Sequence, residues 1–129
     1  MASVPSFIAT GRVAIVNVAA ANTALDGSGT ITPLIAGALS GTRITTITVK
    51  SAATSVAAVV NLFLSTDGGI TWKLFESMLV TAITPSTTAM SFRTSATFDD
   101  LILPDANFVI GVTTTIAQST NVYVLGGDL

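Results

Sequence analysis

The sequence predicts an all-β protein: an antiparallel two-sheet sandwich, jelly-roll-like, of about eight to nine strands. Three observations carry that prediction. Apolar residues alternate with a period of two along almost every run. Turn-forming clusters rich in Gly, Pro, Asn, Asp and Ser return at short intervals. No stretch carries an apolar stripe of useful length at helical spacing. Short, regularly spaced strands joined by such turns are the pattern of sandwiches and barrels.

Each run has its own argument. The run 10–20 is rich in β-branched residues and ends at the turn cluster "NTALDGSG", 22–29. Over 30–36, Pro33 in "TITPLIA" marks an edge strand, because proline has no N–H to give to a ladder. After "GALSG" at 37–41 comes the strand 42–51, whose register is irregular. In "TRITTITVK", Ile44 falls on one face, while Ile47 and Val49 fall on the other. A bulge at the Thr45–Thr46 pair reconciles them, and so does a strand with both faces partly buried.

The run 55–65 sets Val56, Ala58, Val60, Leu62 and Leu64 against Ala57, Val59, Asn61 and Phe63. Beyond "TDGG" at 66–69, the run 69–80 sets Ile70, Trp72, Leu74, Met78 and Val80 against Phe75 and Leu79. A strand apolar on both sides is covered on both sides, by its own second sheet or by a neighbouring subunit. "TPST" at 84–87 leads to the runs 87–94 and 96–103. "LPDAN" at 103–107 leads to 107–116, with Phe108, Ile110, Val112 and Ile116 on one face. "AQST" at 117–120 opens the last run, 120–125.

At 129 residues the chain is expected to be one domain, residues 1–129. Half of it is apolar, and only 9% is charged, against about 25% in an average soluble domain. A domain of this size exposes much of its surface and has little charge to put there, so part of that surface is expected to meet protein. The five basic residues, Arg12, Arg43, Lys50, Lys73 and Arg93, are scattered. A nucleic-acid partner calls for a clustered positive footprint, and none is expected.

The chain has neither cysteine nor histidine, consistent with synthesis in a reducing cytoplasm. Its start lacks a basic segment ahead of the apolar run, so no secretory signal is expected. The longest uncharged stretch, 106–127, alternates and is studded with Thr, Asn, Gln and Ser, so no membrane span is expected either. Residues 1–9, with their Pro, Ser and Phe, are expected to form an N-terminal arm reaching a neighbour or a larger assembly.

One motif invites a chemical reading. "STDGGITW", 65–72, matches the Asp-box signature of sialidases, S-x-D-x-G-x-T-W. Its physics is that of a hairpin. Asp67 accepts hydrogen bonds from turn amides, Gly68 or Gly69 supplies a positive φ, and Trp72 lays its ring beside the turn. In sialidases the motif recurs in each propeller blade, away from the active site; here it occurs once. The arginine cluster and tyrosine nucleophile of those enzymes have no counterpart among three scattered Arg and the single Tyr123. The motif is expected to be a turn.

Adjacent Asp99 and Asp100 raise the possibility of a two-carboxylate hydrolase. Neighbours on a strand point to opposite faces, so they are expected to mark a solvated strand start or an Asx turn. Asp26 in "LDGSGT" and Asp105 in "LPDAN" are expected turn formers, and one carboxylate is too few for calcium. The terminal "GGDL" reads as a chain end. Without His, Cys or a spaced Ser/Lys pair, the usual players of acid–base and nucleophilic catalysis are missing. The expectation is no enzyme, no cofactor and no metal.

The order of several short motifs resembles a group of small virion structural proteins of tailed bacteriophages and prophages. In that group a G-[ST]-R-I strand is followed by a strand ending [LV]-[FR]-[LI]. An "ITPS" segment, an "LxLPxG" segment and a terminal "GGD[FL]" come after it. Here these fall at 41–44, 61–64, 83–86, 101–104 and 126–129, and the likeness spans about residues 25–129. After the Leu-Pro pair this chain reads Asp105-Ala106, without the Gly of the group. The resemblance implies a capsid decoration, head- or tail-associated protein and brings no catalytic residues.

Together these readings predict a non-enzymatic capsid decoration (cement) protein on the virion surface, made in the host cytoplasm. It is expected to self-associate, as a trimer, and to contact the major capsid protein or another virion protein. The strands 55–64 and 107–116 are the expected apolar interfaces. The alternative is a tail- or spike-associated module that binds a host glycan or receptor, for which Trp72 and Tyr123 are the candidate contacts.

Overall fold

A computed structural model describes residues 8–129. Eight strands form: β1 (Thr10–Val18), β2 (Thr32–Ala36), β3 (Thr42–Ser51), β4 (Ala58–Ser65), β5 (Lys73–Val80), β6 (Arg93–Leu103), β7 (Val109–Thr114) and β8 (Thr120–Asp128). They pair antiparallel into two four-stranded sheets, ordered β1-β8-β3-β6 and β2-β7-β4-β5. Successive strands cross between the sheets everywhere except from β4 to β5, which gives the strand order of a jelly roll. The expected two-sheet sandwich is the fold that forms. Among the described residues no helix is long and apolar enough to cross a membrane.

The core lies between the sheets. Ile44, Ile47 and Val49 of β3 and Val122 and Val124 of β8 face Val60 and Leu62 of β4 and Ile110 and Val112 of β7. Fully burying each such side chain contributes about 1.5–3 kcal/mol. The irregularity in β3 is a bulge. Register shifts between Ile44 and Thr46 in both of its pairings, and Ile44, Ile47 and Val49 are all fully buried. Pro33 lies in β2, at the edge of its sheet, as its missing N–H requires.

Three expectations change. The run 87–94 is strand only at its last two residues, which join 96–103 in one strand, β6, paired with β3 from Lys50↔Arg93 to Thr42↔Leu103. Ser95, which divides the two runs, pairs regularly with Thr48, and the irregularity opposite the β3 bulge comes later, between Thr97 and Leu101. In β5, Phe75 is the extra residue of a second bulge, because Phe63 pairs with Leu74 but Leu62 pairs with Glu76. Phe75 therefore packs inward with Phe98, ring centroids 6.2 Å apart, and Leu74 and Leu79 are left exposed. The last strand runs on to Asp128, so "GGDL" is strand as well as chain end.

Both faces of β4 and β7 are buried within one chain. On the outer face, Phe63 is fully buried but lies outside the main core cluster. There the ring of Trp72 and the side chain of Ile31 sit over Gly111 so closely that any Cβ would strike them. Gly27, in the long loop between β1 and β2, lies against the Trp72 carbonyl. The chain's own loop thus covers this sheet, and 55–64 and 107–116 offer no broad free apolar face: β7 is buried at all six positions. The N-terminal arm expected over 1–9 lies outside the described residues except for Ile8 and Ala9. Ile8 packs on Gly127, and Ala9 N donates to Asp128 O at 2.8 Å.

Candidate functional site

The Asp-box hairpin is a closed hydrogen-bond system. Asp67 Oδ1 accepts from Ser65 Oγ (2.7 Å), Thr71 N (2.9 Å) and Ile70 N (3.2 Å), and Oδ2 accepts from Thr71 Oγ1 (2.6 Å). Ser65 Oγ accepts in turn from Gly69 N at 2.8 Å. Gly68 and Gly69 hold φ of 78° and 95°, which side chains with a Cβ resist. The Thr71 hydroxyl, then its amide and the Ser65 hydroxyl, hold the Asp67 carboxyl far below the ordinary range. Both carboxylate oxygens of Asp67 are committed to the turn, so it is a structural carboxylate.

The other carboxylates do not converge. Asp99 and Asp100 are exposed within β6 at its irregular stretch, not at a strand start, and the Asp99 carbonyl accepts from Arg43 Nη2 at 2.8 Å. Asp26 takes the Ser28 amide and hydroxyl, at 3.0 and 2.6 Å, in an Asx turn that lowers its pKa. Asp105 makes the same turn with the Asn107 amide at 2.9 Å. Among the described residues no three metal-ligating side chains come together.

Trp72 and Tyr123 sit on opposite sides of the sandwich. Trp72 is folded onto the outer face of the β2-β7-β4-β5 sheet, whereas Tyr123 stands half-buried on the outer face of the other, paired with Ile15 and Thr48. Thr48 first and Arg93 next lower the pKa of its phenol. The two aromatics therefore cannot grip one ligand. A cleft of about 390 Å³ opens between residues 17–22 and 29–32, with the buried Thr113 at its base. It has no titratable side chain in its lining.

Three of the five motif segments meet in space, 41–44, 101–104 and 126–129, while 61–64 lies in the other sheet and Ile83 of 83–86 bridges to Ser55. β3 begins with Thr42, Arg43 and Ile44, which pair with Asp128, Gly127 and Gly126 on one side and with Leu103, Ile102 and Leu101 on the other. Leu129 N donates to Gly41 O at 2.9 Å. Gly126 is required there, since a Cβ would collide with the Arg43 carbonyl beside the bulge. Asp128 accepts from Thr42 Oγ1 at 2.8 Å and pairs with Arg12 at 3.3 Å, and Arg12 also donates to the Ala36 carbonyl of the facing sheet at 2.9 Å. "GTRI", "LILP" and "GGDL" are thus one structural corner that ties β1, β2, β3, β6 and β8 together.

Sequence reading missed where the apolar surface lies. Val13 and Ile15 of β1 are 73% and 61% exposed, next to Leu125 and Tyr123 of β8 on the outer face of the first sheet. Leu79 of β5 is 74% exposed on the other sheet. The period-two pattern of "RVAIV" held this signal, but with apolar residues on both faces it did not say which side was open. Comparison with known proteins finds no matching family model and no curated relative.

Proposed function

We propose that this protein is a non-enzymatic structural subunit of a tailed-bacteriophage virion, a capsid decoration protein that self-associates and stabilises the head. The observation that carries the reading is the surface of the sandwich. A chain with 9% charged residues presents Val13, Ile15 and Leu79 to solvent from rigid strands, where a solitary domain would place charge. Burial of such side chains at junctions between capsid subunits needs shape and apolar area, with no chemistry. The virion setting itself comes from the order of the short motifs in the sequence.

In this proposal the protein self-associates, for which the resemblance alone implies a trimer, the major capsid protein or another virion protein is its partner, and the mature location is the capsid surface. The test is cosedimentation of purified protein with heads of the encoding phage, together with the heat resistance of those heads. Saturable binding that raises the temperature of head rupture is the expected result. Heads that neither bind the protein nor change their stability would refute the decoration role. The alternative host-recognition reading has less behind it, since Trp72 is packed on its own chain and lies across the sandwich from Tyr123.

A further inference from the structure

Four strands end the two sheets, and three of them are defended against further pairing. β2 is five residues long, contains Pro33, and is irregular between Pro33 and Ile35. β5 carries Lys73 and Glu76 and bulges at Phe75. β6 carries Arg93, Asp99 and Asp100 and loses register opposite Thr45. Short length, proline, charge and bulges are the devices that keep sheet edges from pairing with other chains.

β1 has none of them except one charge. It runs nine residues in unbroken register with β8, from Thr10↔Asp128 to Val18↔Thr120, and among the described residues its other side has no strand. The charge is Arg12, and its guanidinium is turned to Asp128 and the Ala36 carbonyl, so a new neighbour would not strand it unpaired. The exposed side chains along the middle of the edge are the apolar Val13 and Ile15, with the uncharged Thr10 and Asn17 exposed toward its ends.

We infer that β1 pairs antiparallel with β1 of a second copy of this chain, fusing two β1-β8-β3-β6 sheets into one of eight strands. This rests on the self-association reading above and changes its stoichiometry. Pairing β1 with β2, β5 or β6 of a neighbour would meet proline, charge or a bulge, so the compatible edge on a second copy is β1 itself. An edge that pairs with itself is isologous and closes as a two-fold dimer rather than a threefold ring. With all nine residues overlapping, Val13 lies opposite Ile15 of the second copy and Ala14 opposite Ala14. That cross-strand contact is apolar and repeats on both sides of the axis. Arg12 then faces Val16 of the second copy, which keeps the two guanidinium groups apart.

The test is light scattering after size exclusion on wild type, the double variant Val13→Lys/Ile15→Lys, and Leu79→Lys as an exposed-apolar control on β5. The expected masses are two chains for wild type and Leu79→Lys and one chain, 13.1 kDa, for the double variant. Both lysines project from solvent-facing positions, and thermal melts check that the variant folds. Hydrogen exchange on wild type is a second measurement that needs no variant: the alternate β1 amides that point away from β8 should be as protected as those that point toward it, and should lose that protection on dilution. A trimer, or a dimer that survives the double substitution with its outward-pointing β1 amides exchanging freely, overturns the β1 inference and leaves self-association standing. A wild-type monomer overturns both.

Discussion

Arg12 Nη1 stands 3.3 Å from Asp128 Oδ1, joining the first strand to the last at one corner of the sandwich. Around this contact, Arg12 reaches the Ala36 carbonyl of the opposite sheet and Asp128 takes the Thr42 hydroxyl. A partly buried pair that shares its remaining valences in this way resists loss of either member more than an isolated surface pair does.

Asp128→Asn is expected to cost about 1–2 kcal/mol and Arg12→Ala a similar amount. In a double-mutant cycle by urea denaturation the two losses should not add, with a coupling of at least about 0.5 kcal/mol. Additive losses would mean that the contact contributes nothing of its own.

The bulge in β3 makes a claim about parity. Ile44→Ala and Ile47→Ala should each cost about 2–5 kcal/mol, because both side chains are fully buried although they are three residues apart. In an unbulged strand one of the two would face outward and its removal would cost little.

Gly126→Ala should destabilise by about 1–3 kcal/mol, since the added methyl meets the Arg43 carbonyl and the backbone of the bulge must give way. The denaturation midpoint in urea measures it. A neutral result would show that the corner is loosely packed.

Asp67 makes a prediction in pH. Its carboxyl titrates below the ordinary value of 3.8 because the Thr71 hydroxyl, the Thr71 amide and the Ser65 hydroxyl all favour the ionised form. The stabilisation is therefore complete above that ordinary value and is lost as pH falls toward the depressed folded one. Asp67→Asn should lower the melting temperature at pH 7, and the gap from wild type should narrow steadily below pH 3.8. A gap that is constant down to the acid limit would assign the effect to shape rather than charge.

Trp72 reports on the outer layer. Its emission should be resistant to acrylamide and unmoved by sugars, and Gly111→Ala should shift it to the red by lifting the ring from β7. Strong quenching in wild type, with a sugar-dependent shift, would favour the recognition reading instead.

Much of the fold was legible because period and turns are local. Strand 42–51 is bounded in the structure where its sequence places it, Pro33 lies on an edge, and Asp26, Asp67 and Asp105 form the turns their neighbours imply. The misread features are non-local. The bulge at Phe75 depends on how β5 pairs with β4, Leu62 with Glu76 and Phe63 with Leu74, and the cover over Gly111 comes from residues far away in sequence. Which apolar face stays open is decided by that cover, so the surface of β1 could not be told from that of β7 before the strands were paired. The Arg12–Asp128 contact spans nearly the whole chain, and no spacing announces it.

The central claim is that the exposed apolar strands of this jelly roll are made to be covered by protein, first of all by another copy. The most direct measurement is the native mass of purified wild-type protein across a dilution series, by light scattering. The account predicts more than one chain per particle at micromolar concentration, with the two-chain mass as the form that β1 dictates. A particle of 13.1 kDa at every concentration would contradict it.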